Sequence, residues 1–154
     1  MGLRANLTQL KAALEETQPP AGLAAIQRVW MNPSKDQPLT AELPAFAVLW
    51  DKPATVGFIT FGVEKQEQDI IVYFLYKPTG QGVIDQNLLE AMDYRENALD
   101  ALHAHESLYS TVNWAVPVSV GLPMTLPKAF GGISYTGFEI RYKIVQTRTV
   151  RVGN

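Results

Sequence analysis

Asp69-Ile70-Ile71-Val72-Tyr73-Phe74-Leu75-Tyr76-Lys77 reads as a strand that is apolar on both of its sides. Successive side chains of a strand point to opposite faces. Ile70, Val72, Phe74 and Tyr76 therefore share one face, and Ile71, Tyr73 and Leu75 share the other. Ala45 to Trp50 has the same character, with Phe46, Val48 and Trp50 on one face and Ala47 and Leu49 on the other. A strand with one wet face alternates apolar with polar residues, so these two strands need cover on both sides.

Upstream of this pair, Asn32 to Pro44 carries Pro33, Pro38 and Pro44 and reads as an irregular loop of 13 residues. Connections that long are usually functional or disordered. Ala21 to Met31 suits a helix or a strand, and the β-formers Ile26, Val29 and Trp30 favour a short strand. Leu3, Leu7, Leu10 and Leu14 fall on one stripe of a helix over Leu3 to Glu16, which Pro19-Pro20 stops. After Trp50 a strand is expected at Val56–Val63, with Glu64-Lys65-Gln66-Glu67-Gln68 as a charged hairpin tip leading into Asp69.

Downstream, Lys77-Pro78-Thr79-Gly80-Gln81-Gly82 breaks the chain. Asp85 is placed to cap a second helix running to about His105, with Leu88, Leu89, Met92, Leu99 and Leu102 as its apolar face. Strand follows at Thr111–Val120, then a loop from Gly121 to Gly132, then strand from Ile133 to Val152. In that last strand Phe138, Ile140, Tyr142 and Ile144 alternate with Glu139, Arg141 and Lys143, which leaves one face wet. The order α-β-β-β-β-α-β-β predicts an α+β fold: a mixed, mostly antiparallel sheet of about five to six strands, an N-terminal helix and one longer central helix. A single domain over residues 1–154 is expected.

Composition narrows the function. With 47% hydrophobic residues and 13 bases against 15 acids, the chain is not a disordered protein. The absence of cysteine removes disulfides, thiolate metal sites and cysteine nucleophiles together. No apolar run approaches the roughly 18 residues of a membrane span, and Met1 to Leu10 lacks the core of a secretory signal. A soluble domain made inside the cell is therefore expected.

Two helices are too little cover for such a sheet. A helix about 10 Å across shields roughly two strands spaced about 4.8 Å apart, so two helices close about one face. The second face still holds Leu49, Ile71, Tyr73, Leu75 and one of Phe58 or Ile59. Leaving each in water forgoes about 1.5–3 kcal/mol, and five of them about 10 kcal/mol, comparable with the whole stability of a small domain. Either the sheet folds back on itself or another subunit covers it.

Chemistry is scarce. His103 and His105 are two apart on a helix and point away from each other, so they share no metal. Thr79-Gly80-Gln81-Gly82 lacks the Lys-Ser/Thr of a phosphate loop, and the span Gly132 to Gly137 is one residue too long for a nucleophile elbow at Ser134. No catalytic, metal or cofactor site is expected. Charge, by contrast, is segregated. Asp85 to Glu106 holds six acids, among them Glu90, Asp93 and Glu96, against Arg95 alone. Lys128 to Asn154 holds five bases, among them Arg141, Lys143 and Arg148, against Glu139 alone. These groups either face solvent on opposite sides of one molecule or meet across a subunit contact. Leu122, Met124, Leu126 and Phe130 are apolar within a proline-stiffened loop, which either docks on a partner or tucks onto its own core.

The order of elements is similar to that of the tail terminator proteins of long-tailed, non-contractile bacteriophages of the lambda type, and of their tail-completion relatives. The stretches that carry the likeness are the leucine-striped first helix, Leu43-Pro44-Ala45-Phe46-Ala47-Val48-Leu49, the charged hairpin leading into Ile70 to Pro78, the acidic helix opened by Asp85, and Phe138-Glu139-Ile140-Arg141-Tyr142-Lys143-Ile144. The resemblance implies a virion protein assembled in the host bacterial cytoplasm. It implies a six-fold homo-oligomeric ring without catalysis, cofactor or membrane contact. Its partners are then the tail tube protein, the head connector protein and DNA sliding through the lumen without specific binding. Acids such as Glu90, Asp93 and Glu96 would repel phosphates if they lined that lumen. A head–tail connector or neck protein is the nearby alternative. A monomeric α+β binding domain is the distant one, with a pocket lined by Trp30, Trp50 or Trp114.

Overall fold

In the computed structural model, which describes residues 3–50, 55–60, 62–104 and 114–149, helices lie on a mixed sheet of seven strands. In chain order the elements are α1 (Leu3–Glu15), β1 (Arg28–Met31), a 3-10 turn (Thr40–Glu42), β2 (Ala45–Leu49), β3 (Thr55–Thr60), β4 (Val63–Pro78), α2 (Ile84–Ala104), β5 (Trp114–Val120), β6 (Met124–Phe130) and β7 (Ile133–Thr149). The class is α+β with an N-terminal and a central helix, and the sheet curls into a half-barrel. The expected strand residues Thr111–Asn113 and Val150–Val152 and the expected helix end at His105 lie outside the described residues.

β4 and β7 are the spine. They pair antiparallel from Val63↔Thr149 to Pro78↔Tyr135. Two short strands lie in tandem along the outer side of each: β3 and β2 along β4, β5 and β6 along β7. β1 extends the sheet beyond β2 in parallel. A parallel connection needs a dozen or more residues, and here the Asn32–Pro44 loop with its one 3-10 turn makes the crossover in place of a helix.

Two expected boundaries move. Glu64–Gln68 is not a hairpin tip. It lies inside β4, paired with β3 on one side and β7 on the other, and the turn falls just before it at Gly62, whose φ is +85°. Lys65, Glu67 and Asp69 persist inside the strand because their face is partly wet at this end, whereas Glu64 on the other face is buried. Gly121–Gly132 is not a loop either. β5 and β6 form one interrupted strand, broken around Leu122-Pro123, that runs along β7 and returns through Gly131-Gly132. Both glycines have positive φ, +61° and +71°, as the two-residue turn that matches strand twist requires. Pro117, Pro123 and Pro127 are tolerated because β5 and β6 are edge strands, with no strand beyond them among the described residues. This added strand is why the sheet exceeds the five to six expected.

α2 is also rotated from its expected setting. Its buried residues are Asn87, Ala91, Tyr94, Ala98 and Leu102, spaced four, three, four and four, while Leu89 is 69% exposed. The two alanines let the helix approach the sheet closely, and Tyr94 fills the gap between them and donates its hydroxyl to the Ala24 carbonyl. Asp85 is the second helical residue rather than the cap. Asn87 fixes the approach to the helix by donating from Nδ2 to the Gln81 carbonyl at 2.8 Å.

The core has two parts. On the helix side, Leu10 and Leu14 of α1 and Ala91 and Tyr94 of α2 pack on Phe46, Val72, Phe74 and Phe138. On the second face, Leu39 of the crossover loop and Leu126, Phe130 and Tyr135 of the β6–β7 hairpin cover Ala47, Leu49 and Leu75. The expected shortage of cover is thus partly met by the chain itself. Leu49 and Leu75 are buried, whereas Ile71 and Tyr73 stay half-buried. The side chains of Phe58 and Ile59 lie outside the description.

Candidate functional site

The roof over the second face stops partway along the spine. It is held at its closed end by Tyr135, whose hydroxyl accepts the Leu39 N–H at 3.0 Å, and by the Gly131 N–H, which donates to the Lys35 carbonyl at 2.8 Å. Beyond Tyr73 no element among the described residues continues the cover. Two grooves of about 340 and 210 Å³ sit side by side there, on the adjacent rungs Tyr73↔Glu139 and Ile71↔Arg141. The first is walled by Met124, Lys35 and Lys128, the second by Val118, Asp69 and Lys143. Met124 is 50% and Val118 62% exposed, and Leu122 at the strand break is 64% exposed.

The four apolar candidates of the former loop therefore separate. Leu126 and Phe130 are core residues and are no interface, because β6 turns them inward onto Tyr135 and Leu75. Leu122 and Met124 remain at the surface, beside the open face.

Two of the three basic candidates, Arg141 and Lys143, lie on this face. Arg141 sits 3.4 Å from Glu139, and Lys143 sits 3.3 Å from Glu67, which also meets Lys65 at 2.9 Å. Hydrogen bonds from Lys65 and Lys143 hold the Glu67 carboxyl below its ordinary value. Arg148 pairs with Glu64 in the β4–β7 ladder, and its side chain lies outside the description.

The acidic candidates are on the other side, on α2. Asp93 and Glu96 are exposed. Glu90 is turned to the sheet, where it accepts the Tyr76 hydroxyl and, at 3.1 Å, the Gln86 amide. The Tyr76 hydrogen bond holds the Glu90 carboxyl below its ordinary value, and burial together with Glu90 pushes the Tyr76 hydroxyl up. Arg95 does not neutralise the helix surface evenly. Its Nε donates to the Gly121 carbonyl at 3.0 Å and its Nη2 to the Val120 carbonyl at 3.4 Å, stapling the β5–β6 break, while its Nη1 pairs with Glu96 at 3.1 Å. The exposed acids Asp93 and Glu96 and the bases Arg141 and Lys143 thus lie on opposite sides of the sheet.

Val118, Lys35 and Lys128 belong to the open face and went unnoticed as a group in the sequence. The Gly131-Gly132 turn is the signal that places Lys128 near the crossover loop. Of the tryptophans, Trp30 lines an open groove of about 500 Å³ between α1 and the edge of β1, with the Arg28 guanidinium 3.6 Å from its ring centre. Trp50 packs against the helix-side core, and the Trp114 side chain lies outside the description. Among the described residues, no three His, Asp or Glu side chains gather as a metal site, and no helix is long and apolar enough to cross a membrane. No protein-family model matches this chain, and no curated protein matches it.

Proposed function

We propose that this chain is a non-catalytic structural protein that assembles into a homo-oligomeric ring, capping a phage tail tube, ending its polymerisation and offering the surface that joins tail to head. The observation that carries the proposal is the open half of the second face. Ile71 and Tyr73 are only half-buried there, with Val118 and Met124 exposed beside them, and apolar side chains left open in a concave surface rimmed by charge mark an interaction surface. The element order that resembles tail terminators gives the assembly its role. Six-fold symmetry, the tube protein and the head connector come from that resemblance alone.

Purified chain added to tail tubes tests it. Negative-stain images are expected to show one added ring at one tip, and tubes preincubated with the chain should stop elongating. Tubes that keep growing, with bare tips, would remove the capping role. A chain that co-purifies with head connectors and ignores tubes would instead place it in the neck of the same machine.

A further inference from the structure

Two surfaces of this chain complement each other and lie on opposite sides of it. One is the outer stripe of α2. Asp85, Leu89, Asp93, Glu96 and Asp100 recur at intervals of four, four, three and four, and all are exposed. That spacing lines one side of a helix. The opposite stripe, Ala91, Tyr94 and Ala98, is fixed against the helix-side core, so the acidic stripe points away from the sheet. Arg95 donates to the Val120 and Gly121 carbonyls and also pairs with Glu96 at 3.1 Å, so the negative charge of the stripe is carried chiefly by Asp85, Asp93 and Asp100 around its one exposed leucine. The other surface is the open part of the second face. Its paired grooves have Ile71 and Tyr73 at their centre and are lined by four bases (Lys35, Lys128, Arg141, Lys143) against two acids (Asp69, Glu139).

We infer that the acidic stripe of α2 in one copy docks in this concavity of the next copy. Leu89 supplies the apolar anchor for Ile71 and Tyr73. Asp93 and Glu96 approach the bases of the groove walls, whose excess of positive charge selects this occupant. The half-exposed residues of the second face then gain the cover that the chain's own hairpin does not extend to them. Because the two patches are different and lie on opposite sides, the contact is head-to-tail, and such contacts close into rings when the rotation permits. This inference rests on the ring proposed above and specifies its contact. It also places Asp93 and Glu96 between subunits, not on the lumen.

Sedimentation velocity of the full chain over a range of concentrations tests the contact, with Asp93→Arg and Arg141→Glu as the variants. The wild type is expected to associate. Each single reversal sets like charges against each other and should raise the concentration needed for association by about tenfold or more. An equal mixture of the two variants should recover association. In an alternating assembly every junction is then either the original acid–base pair or the fully reversed one. Misfolding cannot produce that recovery. Should Arg141→Glu fail to fold, Lys128→Glu replaces it, and Leu89→Lys on the exposed stripe must weaken association by itself.

Variants that all associate like the wild type overturn this contact but leave the ring standing if the chain still caps tubes. Groove variants that weaken association while stripe variants do not would give the groove another occupant and also overturn it. A wild type that stays monomeric at every concentration overturns the contact outright, and the tube experiment then judges the ring by itself.

Discussion

Phe74 and Tyr73 are neighbours in β4 and face opposite ways, and their surroundings differ. The Phe74 ring lies 4.9 Å from Phe138, 4.9 Å from Tyr94 and 5.2 Å from Phe46, with no exposure. Tyr73 meets one ring edge-on, Phe130 at 6.1 Å, and keeps part of its surface in water. One sheet therefore has a face closed by helices and a face closed for only part of its length by a hairpin and a loop. Closure of the first face is a matter of this chain's stability. Closure of the second by the chain's described residues stops partway.

The largest expected effect strikes both faces at once. A Cβ at Gly137 would lie 1.8 Å from the Phe74 carbonyl oxygen, across the spine, so no side chain can be accommodated without separating β4 from β7. Gly137→Ala should cost about 4–5 kcal/mol or abolish folding, read by urea unfolding. A smaller loss would mean that the spine bends more easily than its pairing suggests. Next comes the direct contrast of neighbours. Phe74→Ala is expected to cost about 3–5 kcal/mol, and Tyr73→Ala about 1–2 kcal/mol in the isolated chain. Equal losses would erase the distinction between the faces.

Tyr135→Phe removes the acceptor of the buried Leu39 N–H and should cost about 1–3 kcal/mol. The accompanying signature is faster hydrogen exchange in the crossover loop, with the helix side unchanged. An alkaline titration sharpens the contrast from the helix side. Burial pushes the Tyr94 hydroxyl from 10.0 up to about 12. The folded state thus keeps its proton longer than the unfolded state. The stability this gives is complete below pH 10 and declines as pH rises from about 10 toward 12. Tyr94→Phe should flatten that decline in thermal melts. The smallest effect on stability is expected for Ile71→Ser on the open face, about 1 kcal/mol or less, while association in sedimentation should weaken clearly.

The sheet was legible in the sequence where side-chain chemistry and period agree. Phe46, Val48, Val72 and Phe74 took one face and Ala47, Leu49 and Leu75 the other, as alternation demands. The stripe of α1 was equally plain, with Leu10 and Leu14 fully buried. The orientation of α2 was not. Its leucines suggest one apolar face, but close packing on a curled sheet favours Ala91 and Ala98, and a tyrosine that satisfies its hydroxyl outweighs a leucine. β6 was hidden because Pro123 just before it and Pro127 within it disguise a strand, although Gly131-Gly132 signals the hairpin that makes it. Half of the candidate surface followed from charge, since Asp93 and Glu96 lie on the helix side and Arg141 and Lys143 on the open face. The other half could not, because Lys35, Lys128, Arg141 and Val118 come together only through the crossover loop and the hairpin.

The prolines along β5, β6 and the break between them carry one more consequence. Pro117, Pro123 and Pro127 bring no amide protons to the outer flank of the sheet. A foreign strand drawing alongside would find rungs missing from the ladder, and sideways stacking into fibrils is discouraged there. Any meeting of copies is thereby steered away from this edge of the sheet.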